Sequence, residues 1–114
     1  MANIEKTGKD ILVEMTFIPT GQGGIKHDVI SGYRPQFYYK NHDWDGEHTY
    51  LDVDKVKPGD TVRAYIKFLS PQEHWGRLLA GDHFLIREGQ KVAAYGHVLE
   101  LIDLEINAKK RSSQ

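Results

Sequence analysis

The densest cluster of donor atoms in this chain is His42-Asp43-Trp44-Asp45-Gly46-Glu47-His48, followed by Asp52 and Asp54. Two imidazoles interleaved with carboxylates have the donor types of a divalent-metal site. The same stretch holds five acids from Asp43 to Asp54 and no Lys or Arg, which is also the composition of an acidic surface loop. The loop is the reading carried forward, and no metal or cofactor is expected. With no cysteine anywhere, thiolate metal centres, cysteine nucleophiles and disulfides are excluded. Phosphate cradling is not indicated either. The glycine-rich run Gly21-Gln22-Gly23-Gly24 continues into Ile25-Lys26-His27 between two strands, whereas a P-loop runs straight into a helix. The histidines His27, His42, His48, His74, His83 and His97 show no base-and-nucleophile spacing, and there is no nucleophile elbow. Binding rather than catalysis is expected.

Two segments carry side chains suited to binding. In Gly32-Tyr33-Arg34-Pro35-Gln36-Phe37-Tyr38-Tyr39, Pro35 lacks a backbone donor and so must start a strand or lie at an edge. Arg34 and Gln36 then fall together on one side, where planar polar groups suit phosphate or carbonyl oxygens. The alternative is that Arg34 packs over Tyr38 or pairs with a nearby carboxylate. In Leu69-Ser70-Pro71-Gln72-Glu73-His74-Trp75-Gly76-Arg77-Leu78-Leu79, exposed Trp75, Arg77 and Leu78 would be anchors for a protein partner. The alternative is that Trp75 and the leucines cap the open end of a barrel.

The elements that must position these residues read as strands. Ile11, Val13, Met15 and Phe17 alternate with Glu14 and Thr16, and Val62, Ala64, Ile66 and Phe68 alternate with Arg63, Tyr65 and Lys67. Six strands are expected, over 10–18, 29–31 leading to 36–40, 48–51, 61–69, 82–87 and 91–102. Turn residues punctuate them. Pro58-Gly59 fits a type II turn, Glu88-Gly89-Gln90-Lys91 a hairpin, and a slip of register near Gly96 predicts a bulge there. Strands with frequent Gly and Pro turns imply a closed barrel or a sandwich. One domain over 9–103 is expected, with 104–114 as a flexible basic tail.

The order of these motifs, Tyr33-Arg34-Pro35-Gln36, then Pro58-Gly59-Asp60, then Ile86-Arg87-Glu88-Gly89, resembles the third, C-terminal domain of bacterial elongation factor Tu over nearly the whole chain. The resemblance selects an all-β, closed antiparallel barrel of about six strands, standing alone without a GTPase domain. It also implies contact with the T stem of aminoacyl-tRNA at Gln36 and Gly89, with Lys26 and Arg34 alongside. The family's arginine in the glycine-pair motif corresponds to Ile25 here, an apolar side chain left near water. Its lysine before a proline corresponds to Ser70.

The charge balance fits these losses. Fifteen Lys and Arg against sixteen Asp and Glu give a net charge of −1, and phosphate neutralisation is the main source of affinity for nucleic acid. A protein partner in the elongation factor Tu network is therefore the leading expectation, and weak tRNA binding the alternative. No apolar run approaches the ~20 residues needed to span a bilayer, and residues 1–8 hold no signal-peptide core. A cytoplasmic monomer without membrane contact is expected.

Overall fold

The computed structural model describes residues 9–112. Six strands, β1 (Ile11–Phe17), β2 (Gln36–Tyr39), β3 (His42–Tyr50), β4 (Thr61–Phe68), β5 (His83–Glu88) and β6 (Lys91–Leu101), close into a barrel in the order β1-β4-β3-β2-β5-β6. Every neighbouring pair is antiparallel, so each strand has two partners and no sheet edge is open. The alternation seen in the sequence is the alternation of inside and outside. Ile11, Val13, Met15 and Phe17 point inward, as do Ala64, Ile66 and Phe68. Phe37 is the centre of the core, stacked on Phe84 at 4.4 Å and edge-on to Phe68 at 5.1 Å. Among the described residues no helix is long and apolar enough to cross a membrane.

Three local expectations are corrected. The run from His42 is a strand and not an acidic loop. Lys40 and Asn41, with φ of 49° and 66°, make a two-residue hairpin turn that pairs Tyr39 with His42. The lysine in that turn hides the signal that a glycine would have given. The strand expected over 29–31 shrinks to a single bridge between Val29 and Val56. The slip near Gly96 is resolved by two irregularities flanking it, one leaving Leu99 unpaired opposite β1 and one leaving Ala93 unpaired opposite β5. The second lets the consecutive residues Ala93 and Ala94 both be buried. Gly96 itself permits close approach of β6 to β1.

The C-terminal stretch expected as a flexible tail instead forms a helix, α1 (Leu104–Ser112). Its apolar anchors are Leu104 and Ala108, both buried and one turn apart on one face. A buried carboxylate ties α1 to the barrel. Asp10 accepts the Phe68 N–H at 2.8 Å and the Asn107 side-chain amide at 2.5 Å, joining β1, β4 and the helix.

Strand direction sorts the connections to two ends. The 69–82 connection leads into β5 and the Gly89-Gln90 turn leaves it, so they lie at opposite ends. Leu78, His74 and Leu104 fill the first end, whereas Ile25, Val29 and Val56 fill the second.

Gly96→Ala is expected to be severely destabilising. A methyl group there would sit 2.8 Å from Met15 Cβ and closer still to the Glu14 carbonyl oxygen. Urea denaturation should show a loss of about 2–4 kcal/mol, and a variant as stable as the parent would disprove the close approach.

Candidate functional site

At the second end of the barrel, the connection between β1 and β2 folds onto Glu88 at the end of β5. Tyr33 donates its hydroxyl hydrogen to Glu88 Oε2 at 2.6 Å, and His27 Nε2 reaches the same oxygen at 3.1 Å. Lys91 Nζ donates to the Gly23 carbonyl at 3.5 Å. The loop bearing Lys26, the segment running from Arg34 into β2 at Gln36, and the turn bearing Gly89 thus lie at the same end of the barrel. Gly89 has a φ of 61° and open space around its Cα, so its backbone is approachable. His27 also meets the Asp28 carbonyl through Nδ1 at 3.0 Å. Two acceptors on its two nitrogens favour the doubly protonated ring, and its pKa is raised by that carbonyl bond first and by Glu88 next. Burial, with help from Glu88, pushes the Tyr33 hydroxyl up, so it stays a neutral donor.

The outer face of β2 continues this surface. Gln36 lies in register between Asp45 on β3 and Arg87 on β5. Arg34, exposed, sits 3.5 Å from Glu47, which is the carboxylate pairing left open by the sequence. The guanidinium over Tyr38 belongs instead to Arg87, 4.8 Å from the ring centroid and with Nε 3.8 Å from Asp43. Both arginines therefore face carboxylates, which lowers their attraction for phosphate. Lys26 is exposed on its loop. Ile25, expected near water, is instead buried in the barrel's second end, where an apolar side chain packs well. Ser70 is half-buried ahead of a 3-10 turn at Pro71–Glu73.

The other end displays Trp75 and Arg77. The 69–82 connection is pinned from within. His74 Nδ1 and the Tyr39 hydroxyl lie 2.6 Å apart, and the His74 ring stacks on Phe68 at 4.0 Å and meets the edge of Trp44 at 4.7 Å. Pro71, His74 and Leu78 are buried, so Leu78 is not available as an interface anchor. Leu79 replaces it at the surface, 56% exposed beside Trp75 at 41%. Backbone bonds from Trp75 N–H to the Pro71 carbonyl (3.2 Å) and from Leu78 N–H to the His74 carbonyl (2.9 Å) hold the loop in turns. Lys40 Nζ caps it by donating to the Arg77 carbonyl at 2.5 Å.

The His42 to His48 segment does not gather its donors. His48 is buried with Nδ1 2.9 Å from the Tyr50 hydroxyl, while His42 is exposed and packs against Trp44 at 4.3 Å. Six residues of strand separate them by about 20 Å. Among the described residues no three His, Asp or Glu side chains are placed to hold one metal ion. Sequence reasoning missed Tyr33, Glu88 and Arg87 as parts of the second-end surface. Glu88 and Arg87 adjoin Gly89 in a motif already singled out, but the pairing of β2 with β5 that brings them to Gln36 is non-local. The burial of Leu78 did have a signal, since Pro71, His74 and Leu78 recur at helical spacing. No known protein-family model matches the chain.

Two buried histidines set the acid limit of the fold. Burial pulls His48 down to about 3 and His74 to about 4, the latter helped by Arg77 and His42. An unfolded histidine titrates near 6.5, so below that pH the unfolded chain binds more protons than the folded one. The stabilisation is complete above about pH 6.5 and is lost as pH falls toward 4 and then 3, by at most about 1.4 kcal/mol per pH unit for each ring. Asp10, pushed up by burial, and the exposed His27 act in the opposite sense and reduce the net slope. Urea unfolding from pH 7 to 5 should show falling stability, and a flat profile would contradict neutral buried rings.

Proposed function

We propose that this chain is a non-catalytic binding barrel of the elongation factor Tu network that grips a protein partner through Trp75, Arg77 and Leu79. It acts in the cytoplasm as a monomer. The observation that supports this most is the display of a large aromatic and a leucine on a loop anchored by buried Pro71, His74 and Leu78. Side chains held this way lose little conformational entropy on docking, and Trp with Arg is the common pairing at interface hot spots. The paired arginines on the second-end surface and the net charge of −1 favour protein over RNA as the ligand.

A second reading rests on the convergence of Lys26, Gln36 and Gly89 at the other end. In it, the surface touches the T stem of tRNA through few phosphate contacts. The two readings use opposite ends of the barrel and so are separable by mutation.

The test is capture of partners from bacterial lysate alongside tRNA binding at about 50 and 200 mM salt. The Trp75→Ala/Leu79→Ser double variant, whose side chains are exposed and whose fold should persist, is expected to lose the protein partner. Gln36→Ala should leave that capture intact. Retention of every partner by the double variant would refute the protein reading. A salt-sensitive tRNA complex weakened by Gln36→Ala would establish the second.

A further inference from the structure

The outer face of β1, β6 and β5 holds a pair of imidazoles that neither binding surface uses. His83 on β5 and His97 on β6 are direct cross-strand partners. Partners in register share a face, with Cβ atoms about 4.5–5.5 Å apart. Their ring centroids are 6.0 Å apart. Two imidazoles on one ion, each with a metal–nitrogen bond of about 2.0–2.1 Å, place their centroids about 5–6 Å apart. A small rotation of the exposed His83 ring towards the half-buried His97 ring therefore closes the geometry.

We propose that His83 and His97 chelate a divalent transition-metal ion of the Zn2+, Ni2+ or Cu2+ class. His27, His48 and His74 are each committed to a hydrogen bond with Glu88, Tyr50 or Tyr39. Among the described residues no side-chain hydrogen bond or ion pair engages the His83 or His97 ring, so their nitrogens are available as donors. The surroundings suit a cation. The pair lies in a shallow groove of about 410 Å³ that Glu14, Thr16, Leu85 and Tyr95 also line, with no Lys or Arg among its lining residues. Glu14 is the cross-strand neighbour of His97 on its other side, in β1. Because no three ligating side chains converge, the chain supplies two ligands and water fills the remaining positions. Such a centre leaves open coordination positions for a donor from another molecule. Imidazole donors and the general order of stability rank Cu2+ above Ni2+ and Zn2+.

The site is tested by isothermal calorimetry of the full chain, without any histidine tag, against zinc, nickel and copper salts. One saturable site per chain is expected, tightest for Cu2+. His83→Gln and His97→Gln should each weaken it by at least about tenfold, since even the outer partners of metal ligands commonly matter that much. His42→Gln, an exposed histidine elsewhere, should leave it unchanged. Substoichiometric Cu2+ should broaden the NMR signals of residues around 83 and 97 before any others. Absence of saturable binding, or equal affinity in the parent and both variants, would overturn the assignment.

Discussion

A six-stranded barrel has no sheet edges to protect, but it has two open ends, and filling them is the constraint on which the rest of this structure depends. The strands supply a wall lined by Ile11, Val13, Phe37, Ile66, Phe84 and Ile86, all buried. None of these can keep water from entering along the axis. That task falls to residues outside the strands: Leu78, His74 and Leu104 at one end, Ile25, Val29 and Val56 at the other. Each fully buried aliphatic side chain contributes about 1.5–3 kcal/mol on transfer from water. The ends are thus as much a part of the core as the wall.

Plugging the ends also decides what the loops show to solvent. A connection that sends some of its side chains inward holds the others outward in a fixed arrangement. At the first end, inward His74 and Leu78 leave Trp75, Arg77 and Leu79 outside. At the second, inward Ile25 leaves Lys26 and His27 outside, where Glu88 gathers His27 and Tyr33. The polar groups in the first plug are tied down locally through one atom of His74, its Nδ1, while its buried Nε2 has no hydrogen-bond partner among the described residues. His74 is held by Tyr39, and Asp10 is engaged by Phe68 and Asn107, which also locks α1 over the first end. Buried polar groups of this kind specify one arrangement only when their partners are in place.

The wall was legible in the sequence because its signal is local. Alternation over Ile11–Phe17 and over Val62–Phe68 needs only neighbouring residues, and the Pro58-Gly59 and Gly89-Gln90 turns announce their own geometry. The plugs were far less legible. Leu78 looks like an exposed anchor and Ile25 like a stranded apolar residue until the open ends that need them are known. The tail 104–114 looked unanchored because Leu104, Ile106 and Ala108 are its only apolar side chains, too few for a helix without a surface to cover. β3 was hidden by acids that alternate outward and by a hairpin turn without glycine. Gln36 and Gly89 belong to motifs that stand out in the sequence, whereas Glu88 as the hub near them depends on pairings that only the closed barrel creates.

If the 69–82 connection is a rigid plug rather than a mobile loop, its backbone must be protected as the strands are. Amide hydrogen exchange at Leu78, whose N–H is donated to the His74 carbonyl at 2.9 Å beneath a buried side chain, measures this directly. Protection of the Leu78 amide approaching that of Ile66 or Phe84 is the expected result. Exchange at the rate of an unstructured peptide would mean that Trp75 and Leu79 are not held in place, and the account of a preorganised docking surface would fail.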